Sequence, residues 1–490
     1  MVLASSTRAA DHASLPAVRL TRLPELDAVA PLDAAEMFAG LPGLVVLESA
    51  RPGRQSRWTF LTADPLVVLE RASPGRDPFA EARRTLARLG RAQPDQPEVP
   101  PFLGGLAGFL GYDLGLLFEP RAELVPNDQD LPPLRLALHD WTIAWDRRTG
   151  RAFLGGRAVD DDRRRLDDRL AEVRARVLRG PPRLVPGQRT GAAPGGSAPS
   201  EELVFETSLD RSAYEAGVAA IRRAIRDGEI YQANLARRLA APFDADPWPL
   251  YRALRTGDPA LFSGYLDLGP GEAGTRAGRP RAIASASPES FLSIDAGGRV
   301  CTDPIKGTRP RGGSPEEDRE LAAELLASAK DRAENVMIVD VLRNDLGRVC
   351  RPGSVRVPRL CRLERTSAVQ HLVSTVTGRL APGRDAFDLL AASFPGGSIT
   401  GAPKIRAMAI LEELEPVRRG PYSGCALWLG PDGRLGSSIL IRTLVADGAR
   451  LTLHVGGGIT WRSDPAEEWF ETVAKARGPL RAIAGREAEA

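Results

Sequence analysis

Lysine is nearly absent from this chain of 490 residues: Lys306, Lys330, Lys404 and Lys475 are the full set, so arginine supplies 62 of the 66 basic side chains. A guanidinium stays planar and protonated, so the surviving lysines mark positions that call for a compact ammonium or an amine able to lose its proton. Cysteine is as scarce. Cys301, Cys350, Cys361 and Cys425 show neither CxxC nor Cys/His metal spacing, which argues against a disulfide framework or a zinc site and leaves scattered reduced thiols. No run of about eighteen apolar residues exists to span a membrane, and MVLASSTRAADHASLP lacks the order of a signal peptide, so a cytoplasmic protein is expected. Blocks of like charge are missing too. With Lys+Arg 66 against Asp+Glu 63 the net charge is +3, so no nucleic-acid or membrane footprint is expected and small-molecule chemistry is the better reading.

What is present is an ordinary globular composition, 43% hydrophobic and 26% charged, in a chain long enough for several domains. Residues 181–203, opening PPRLVPGQRTGAAPGGSAPS, form a Pro/Gly/Ser-rich linker between a front part, 15–180, and a back part, 204–483. The front part holds short apolar runs, a Gly-rich PFLGGLAGFLGYDLG and an amphipathic helix near 160–179. In the back part, helices are expected over 212–228, over 315–348 as one element, and over 465–483, with extended segments at 281–294 and 450–455. Such a mixture without βαβ repetition predicts an α+β fold on antiparallel sheets.

Several constellations could carry chemistry. Glu468, Glu471 and Lys475 fall at i, i+3 and i+7, one face of a helix that is either an exposed salt-bridged surface or a ligand face. The preceding HVGGGIT run could present bare backbone N–H groups to an anion at the approach to that helix. Asp331 and Glu334 stand one turn apart on a second helix; carboxylates from two helices, without nearby His or Cys, are hard oxygen ligands suited to Mg²⁺. In TDPIKGTRPRG, Lys306 beside a Gly-Thr turn is either a surface lysine or an amine that burial could make nucleophilic. Glu289 in SASPESF sits at a strand edge where a general acid could act. FPGGSITGAPK fails the phosphate-loop template, since Pro403 precedes Lys404 and Ile405 follows it, and Cys425 fails a nucleophile elbow. His371 reads as a core histidine or a site residue.

Taken in order, GEIYQANL, SPESF, PIKGT, DRAENVMIVDVLRND, VQHL, FPGGSITGAPK, YSG, SSILIRT, GGGI and EEWFETVAK resemble the chorismate-utilising enzymes: anthranilate synthase component I, aminodeoxychorismate synthase component I, and the isochorismate and salicylate synthases. The resemblance covers about residues 204–482, and VVLESA with PFLGGLAGFLGYD extends it into the front part. It implies the anthranilate synthase component I-like fold, antiparallel sheets in a sandwich with helices packed outside. It also implies Mg²⁺ held by Glu334, Glu468 and Glu471, with Asp331 in an outer role. Arg442, Lys475, Tyr422 and the backbone of Gly456 and Gly458 match positions that engage substrate carboxylates; Glu289 matches the general acid, and Thr308, His371 and Thr400 match pocket positions.

Within the family, members that add water carry lysine where Gln232 stands, so glutamine implies ammonia as nucleophile. Lysine in PIKGT, Lys306, marks the aminodeoxychorismate synthases, where it attacks the ring or stabilises charge; anthranilate synthases typically have alanine there. The expected reaction is therefore chorismate plus ammonia to 4-amino-4-deoxychorismate for p-aminobenzoate and folate, with ammonia from a separate glutamine amidotransferase subunit. The alternatives are an anthranilate synthase component I and a non-catalytic tryptophan-sensing subunit. Leu47, Glu48 and Ser49 match a tryptophan pocket of the family and serve equally as a structural strand.

Overall fold

A computed structural model of the chain describes residues 17–50, 57–73, 77–90, 99–118, 125–180, 203–271, 278–366 and 369–484. All of the linker expected at 181–203 except residue 203 lies outside the described residues. The architecture is two antiparallel sheets with helices on their outer faces, an α+β sandwich. Among the described residues no helix is long and apolar enough to cross a membrane.

The first sheet has 12 strands. Its order runs Val18–Arg22, Arg151–Arg157, Trp141–Asp146, Trp58–Thr62, Val45–Glu48, Phe262–Pro270, Pro280–Ser287, Thr443–Asp447, Arg450–Ile459, Gln232–Pro242 and Gly401–Ala402, with Glu206–Thr207 beside Gln232–Pro242. The second, of 10 strands, starts with the edge strand Ile305–Pro310, then Val369–Arg379, Arg299–Thr302 and Ser290–Ile294. It ends on Gly105–Leu110, Leu134–His139 and Val67–Leu69. Both sheets therefore take strands from the front and back parts alike. The two segments share one pair of sheets.

Period-two alternation explains why the central strands read as continuous apolar runs: both faces are covered. Val45, Phe60, Ala144, Ile283 and Val445 face the inter-sheet core with Phe109 and Ala426 of the second sheet. Their neighbours Val46, Leu61, Ile143, Ala284 and Leu444 point the other way, against Val173, Tyr251, Leu254 and Leu480 of the outer helices. The outer face of the second sheet packs on Ile338, Leu342, Leu389 and Leu390.

Two expectations are corrected. The segment 315–348 is two helices, Pro315–Ala327 and Ala329–Gly347, because the Ser328 hydroxyl accepts from the Asp331 N–H and caps a new N-terminus. The Gly run lies inside the strand Arg450–Ile459, paired with Gln232–Pro242 through Asn234↔Gly458 and Ala236↔Gly456, so it is no bare loop before the last helix.

Candidate active site

The two sheets meet where Gln232 and Gly458 of the first approach Lys306 of the second. A Cβ added at Gly458 would run into the Gln232 amide and stand 3.5 Å from Lys306 Nζ; one added at Gly457 would come within 2.8 Å of Glu468 Oε2 and 3.5 Å of Glu471 Oε1. Close approach on both sides, rather than backbone freedom, is why these positions are glycine. The strand is the floor between an amine-bearing face and a carboxylate-bearing helix, Pro465–Ala484.

On the amine side, Lys306 lies within a register shift of its strand, between Ile305 and Thr308. Gly307 takes φ +84°, and a Cβ there would meet Asp331 Cβ at 2.9 Å, so only glycine lets the strand pass the helix that carries Glu334. Lys306 Nζ donates to the Ser398 carbonyl at 3.1 Å. Glu289 is 7% exposed; burial raises its pKa, against the opposing pull of Lys306, the Ser398 hydroxyl, the Ile305 N–H and Lys475. A carboxyl held partly towards its protonated form beside an amine has the chemistry of a proton donor. The buried Gln232 Oε1 has no hydrogen-bond partner among the described residues.

On the carboxylate side, burial raises the pKa of Glu334 and of Glu468, and Oε1 of the former and Oε2 of the latter are buried without hydrogen-bond partners among the described residues. Burial also works against ionisation of Glu471, yet Lys475, by charge and hydrogen bond, with Lys306 and Lys330, keeps its pKa below the ordinary value. Lys475 Nζ lies 2.6 Å from Glu471 and donates to the Gly456 carbonyl at 2.7 Å, which ties the last helix to the glycine strand. Among the described residues no three His, Cys, Asp or Glu side chains are gathered tightly enough to enclose a metal by themselves. Unpartnered buried carboxylate oxygens nonetheless fit a hard cation such as Mg²⁺, which commonly takes one or two protein carboxylates and fills its shell with water and substrate oxygens. Asp331 is ion-paired to Arg309 at 3.3 Å, consistent with an outer position.

The remaining pocket positions converge as well. Thr308 Oγ1 and His371 Nδ1 are 2.8 Å apart, and burial together with the Arg442 charge pushes the His371 pKa down to about 4, so the ring is neutral at pH 7. Arg442 takes φ +50°, and its guanidinium has no carboxylate partner among the described residues, which leaves it available to an anion. Tyr422 is buried, stacked on His454 at 5.0 Å, and its phenol meets the Asn234 side chain; the Thr400 carbonyl accepts from the Asn234 N–H. Asn234 and Ser398 were inside quoted motifs but carried no signal of their own; the contacts that single them out come from distant segments.

Leu47, Glu48 and Ser49 lie elsewhere. Their strand stands five places from Gln232–Pro242 in the same sheet, roughly 24 Å at ordinary strand spacing. Glu48 is buried and its carboxylate accepts from Tyr251 Oη at 2.8 Å and from Arg255 at 3.1 and 3.2 Å.

With this geometry in place, comparison is informative. The family described as chorismate binding enzyme matches residues 45–481. The chain belongs to that family. Anthranilate synthase component 1 of Thermus thermophilus is 41% identical over 461 residues, 91% of this chain and 93% of the relative. Aminodeoxychorismate synthase component 1 of Klebsiella aerogenes is 39% identical over 399 residues, 81% of each chain. The crystal structure of anthranilate synthase component I from Streptococcus pneumoniae superimposes with a TM-score of 0.73 at 29% identity, covering 88% of this chain and 93% of that one. Chorismate-binding relatives of two activities are thus equally close, and the choice between them falls on single residues of the site.

Proposed function

We propose that this chorismate-binding enzyme is an aminodeoxychorismate synthase component I, joining ammonia to carbon 4 of chorismate with the enolpyruvyl group retained. The observation that carries this reading is Lys306: an amine beside Glu289, Gln232 and Gly458, in a chain that otherwise shuns lysine. The amine, once neutral, bonds to carbon 2 as both ring double bonds shift one place along the ring and the carbon 4 oxygen bond breaks. Glu289 gives its proton to the departing hydroxyl, which leaves as water. Ammonia then attacks carbon 4, both double bonds return to their places, the bond to Lys306 breaks, and the surplus proton passes to Glu289. Arginine cannot serve here, since its guanidinium does not give up a proton.

Arg442 would receive a substrate carboxylate, and the Tyr422 hydroxyl a second contact. Mg²⁺, held by Glu334, Glu468 and Glu471, would supply charge neutralisation at the ring carboxylate. The ammonia comes from a separate glutamine amidotransferase subunit, and the product feeds p-aminobenzoate and folate synthesis.

The 41% identity to an anthranilate synthase favours a second reading, in which the product is anthranilate and pyruvate is released. Incubating the chain with chorismate, Mg²⁺ and ammonium, and separating products by mass, decides between them. Aminodeoxychorismate from the wild type, lost in Lys306→Ala, is the expected result; anthranilate plus pyruvate overturns the proposal.

A further inference from the structure

Lys404 occupies a position where a cation is unfavourable. It is the first residue of the helix Lys404–Leu414, whose N-terminus has no side-chain cap, and the helix dipole there opposes positive charge. It is nevertheless one of the four lysines of the chain, and its side chain is only 16% exposed. The compensation is specific. Nζ donates to Asp345 Oδ2 at 2.8 Å and to the Ser393 carbonyl at 2.9 Å, and Asp345 is 7% exposed.

These two acceptors belong to different elements. Ser393 closes the helix Ala386–Ser393, so its carbonyl is one of those a helix end leaves without an internal partner. Lys404 thus bonds across the base of the segment 394–403, fastening its two ends together. Asp345 lies on the helix Ala329–Gly347, eleven residues and about three turns from Glu334, hence on the same face. Midway along the segment, Gly397 presses on this helix so closely that a Cβ would come within 2.6 Å of Val341 Cγ1. Between its fastened ends the segment presents the Ser398 carbonyl to Lys306, the Ser398 hydroxyl to Glu289 and the Thr400 carbonyl to Asn234.

We propose that Lys404 and Asp345 are a positioning pair: they close the base of segment 394–403 and pin it to the helix of Glu334, which sets where Ser398 stands against the Lys306 amine and Glu289. The pair touches no reacting atom. It rests on the reading above only in assigning Lys306 and Glu289 to chemistry.

The test compares Lys404→Met, Asp345→Asn and the double variant, reading chorismate consumption regardless of product, melting temperature, and amide hydrogen exchange over 396–402. Lys404→Met is expected to lower kcat about tenfold or more with the chorismate KM within about threefold, because displacement of the reacting groups costs turnover more than binding. It is also expected to speed exchange at Ser398 and Thr400. The double variant buries no unpaired charge and should recover melting temperature, while kcat stays low because the bond to Ser393 is still missing. Recovery of kcat in step with melting temperature, or unchanged exchange over 396–402 in Lys404→Met, overturns the proposal. A wild type that consumes no chorismate would sink the proposed function alone, since the exchange measurement stands apart from turnover.

Discussion

Two regions of this molecule bury glutamates, and they treat them oppositely. In the front strand, Glu48 has every demand met: Tyr251 and both arms of Arg255 saturate its carboxylate. Where the two sheets meet, Glu334 and Glu468 each keep a buried oxygen without a partner among the described residues, and burial raises both pKa values. A satisfied buried carboxylate is explained by stability, because removing its charge strands the partners. An unsatisfied one costs stability and persists where a ligand meets the cost. Among the glutamates of the described residues, Glu334 and Glu468 alone keep such an oxygen.

The largest expected effect lies at the amine. Lys306→Ala should lower amination of chorismate by about a thousandfold or more, since neither covalent attack nor charge stabilisation survives; product mass against time checks it. Glu289→Gln should cost roughly 10²–10⁴ in kcat as the proton donor is lost. In the wild type, because burial raises the Glu289 pKa, the protonated acid persists above the ordinary glutamate range. Activity should therefore fall as pH rises through that raised value, a limb that the Gln variant lacks.

The carboxylate contrast is sharpened by stability. With pKa values raised in the folded state, ionised Glu334 and Glu468 destabilise the metal-free protein once pH exceeds their unfolded value, and the penalty is absent below it. Glu468→Gln should accordingly melt higher than wild type at neutral pH without Mg²⁺ and gain less when Mg²⁺ is added. Glu48→Ala should go the other way, losing about 2 kcal/mol in denaturant melts by stranding Tyr251 and Arg255, with turnover per folded molecule unchanged. Asp340→Asn, breaking an exposed pair with Arg343, should change stability by less than about 0.5 kcal/mol. If Glu48→Ala abolished turnover while Glu468→Gln did not, the division of the two regions would be wrong.

Much of the site was legible because its chemistry is written in short segments. Lys306 stood out by the scarcity of lysine, and Glu468, Glu471 and Lys475 by helical spacing. The Gly run was noticed for the wrong reason: it was expected to free backbone groups, whereas it lets a carboxylate helix and the Gln232 amide approach the two faces of one strand. The break at Ser328 was hidden because the helical apolar pattern continues across it, and a capping serine differs from a helical one only in its hydrogen bond. Lys404 was flagged by the same scarcity as Lys306 and then set aside with a failed phosphate-loop template; its partners lie 59 and 11 residues away in other elements.

The sequence by itself determined the α+β class, the family, and the kinds of groups available, since an amine, a carboxylate or a glycine brings its chemistry wherever it stands. Tertiary structure alone decided which of them meet. Lys306 finds the Ser398 carbonyl across 92 residues, the front and back parts are woven into the same two sheets, and Glu48 is saturated while Glu334 is not. Burial and partnership belong to contacts between distant segments, and residue order records them only after folding has brought those segments together.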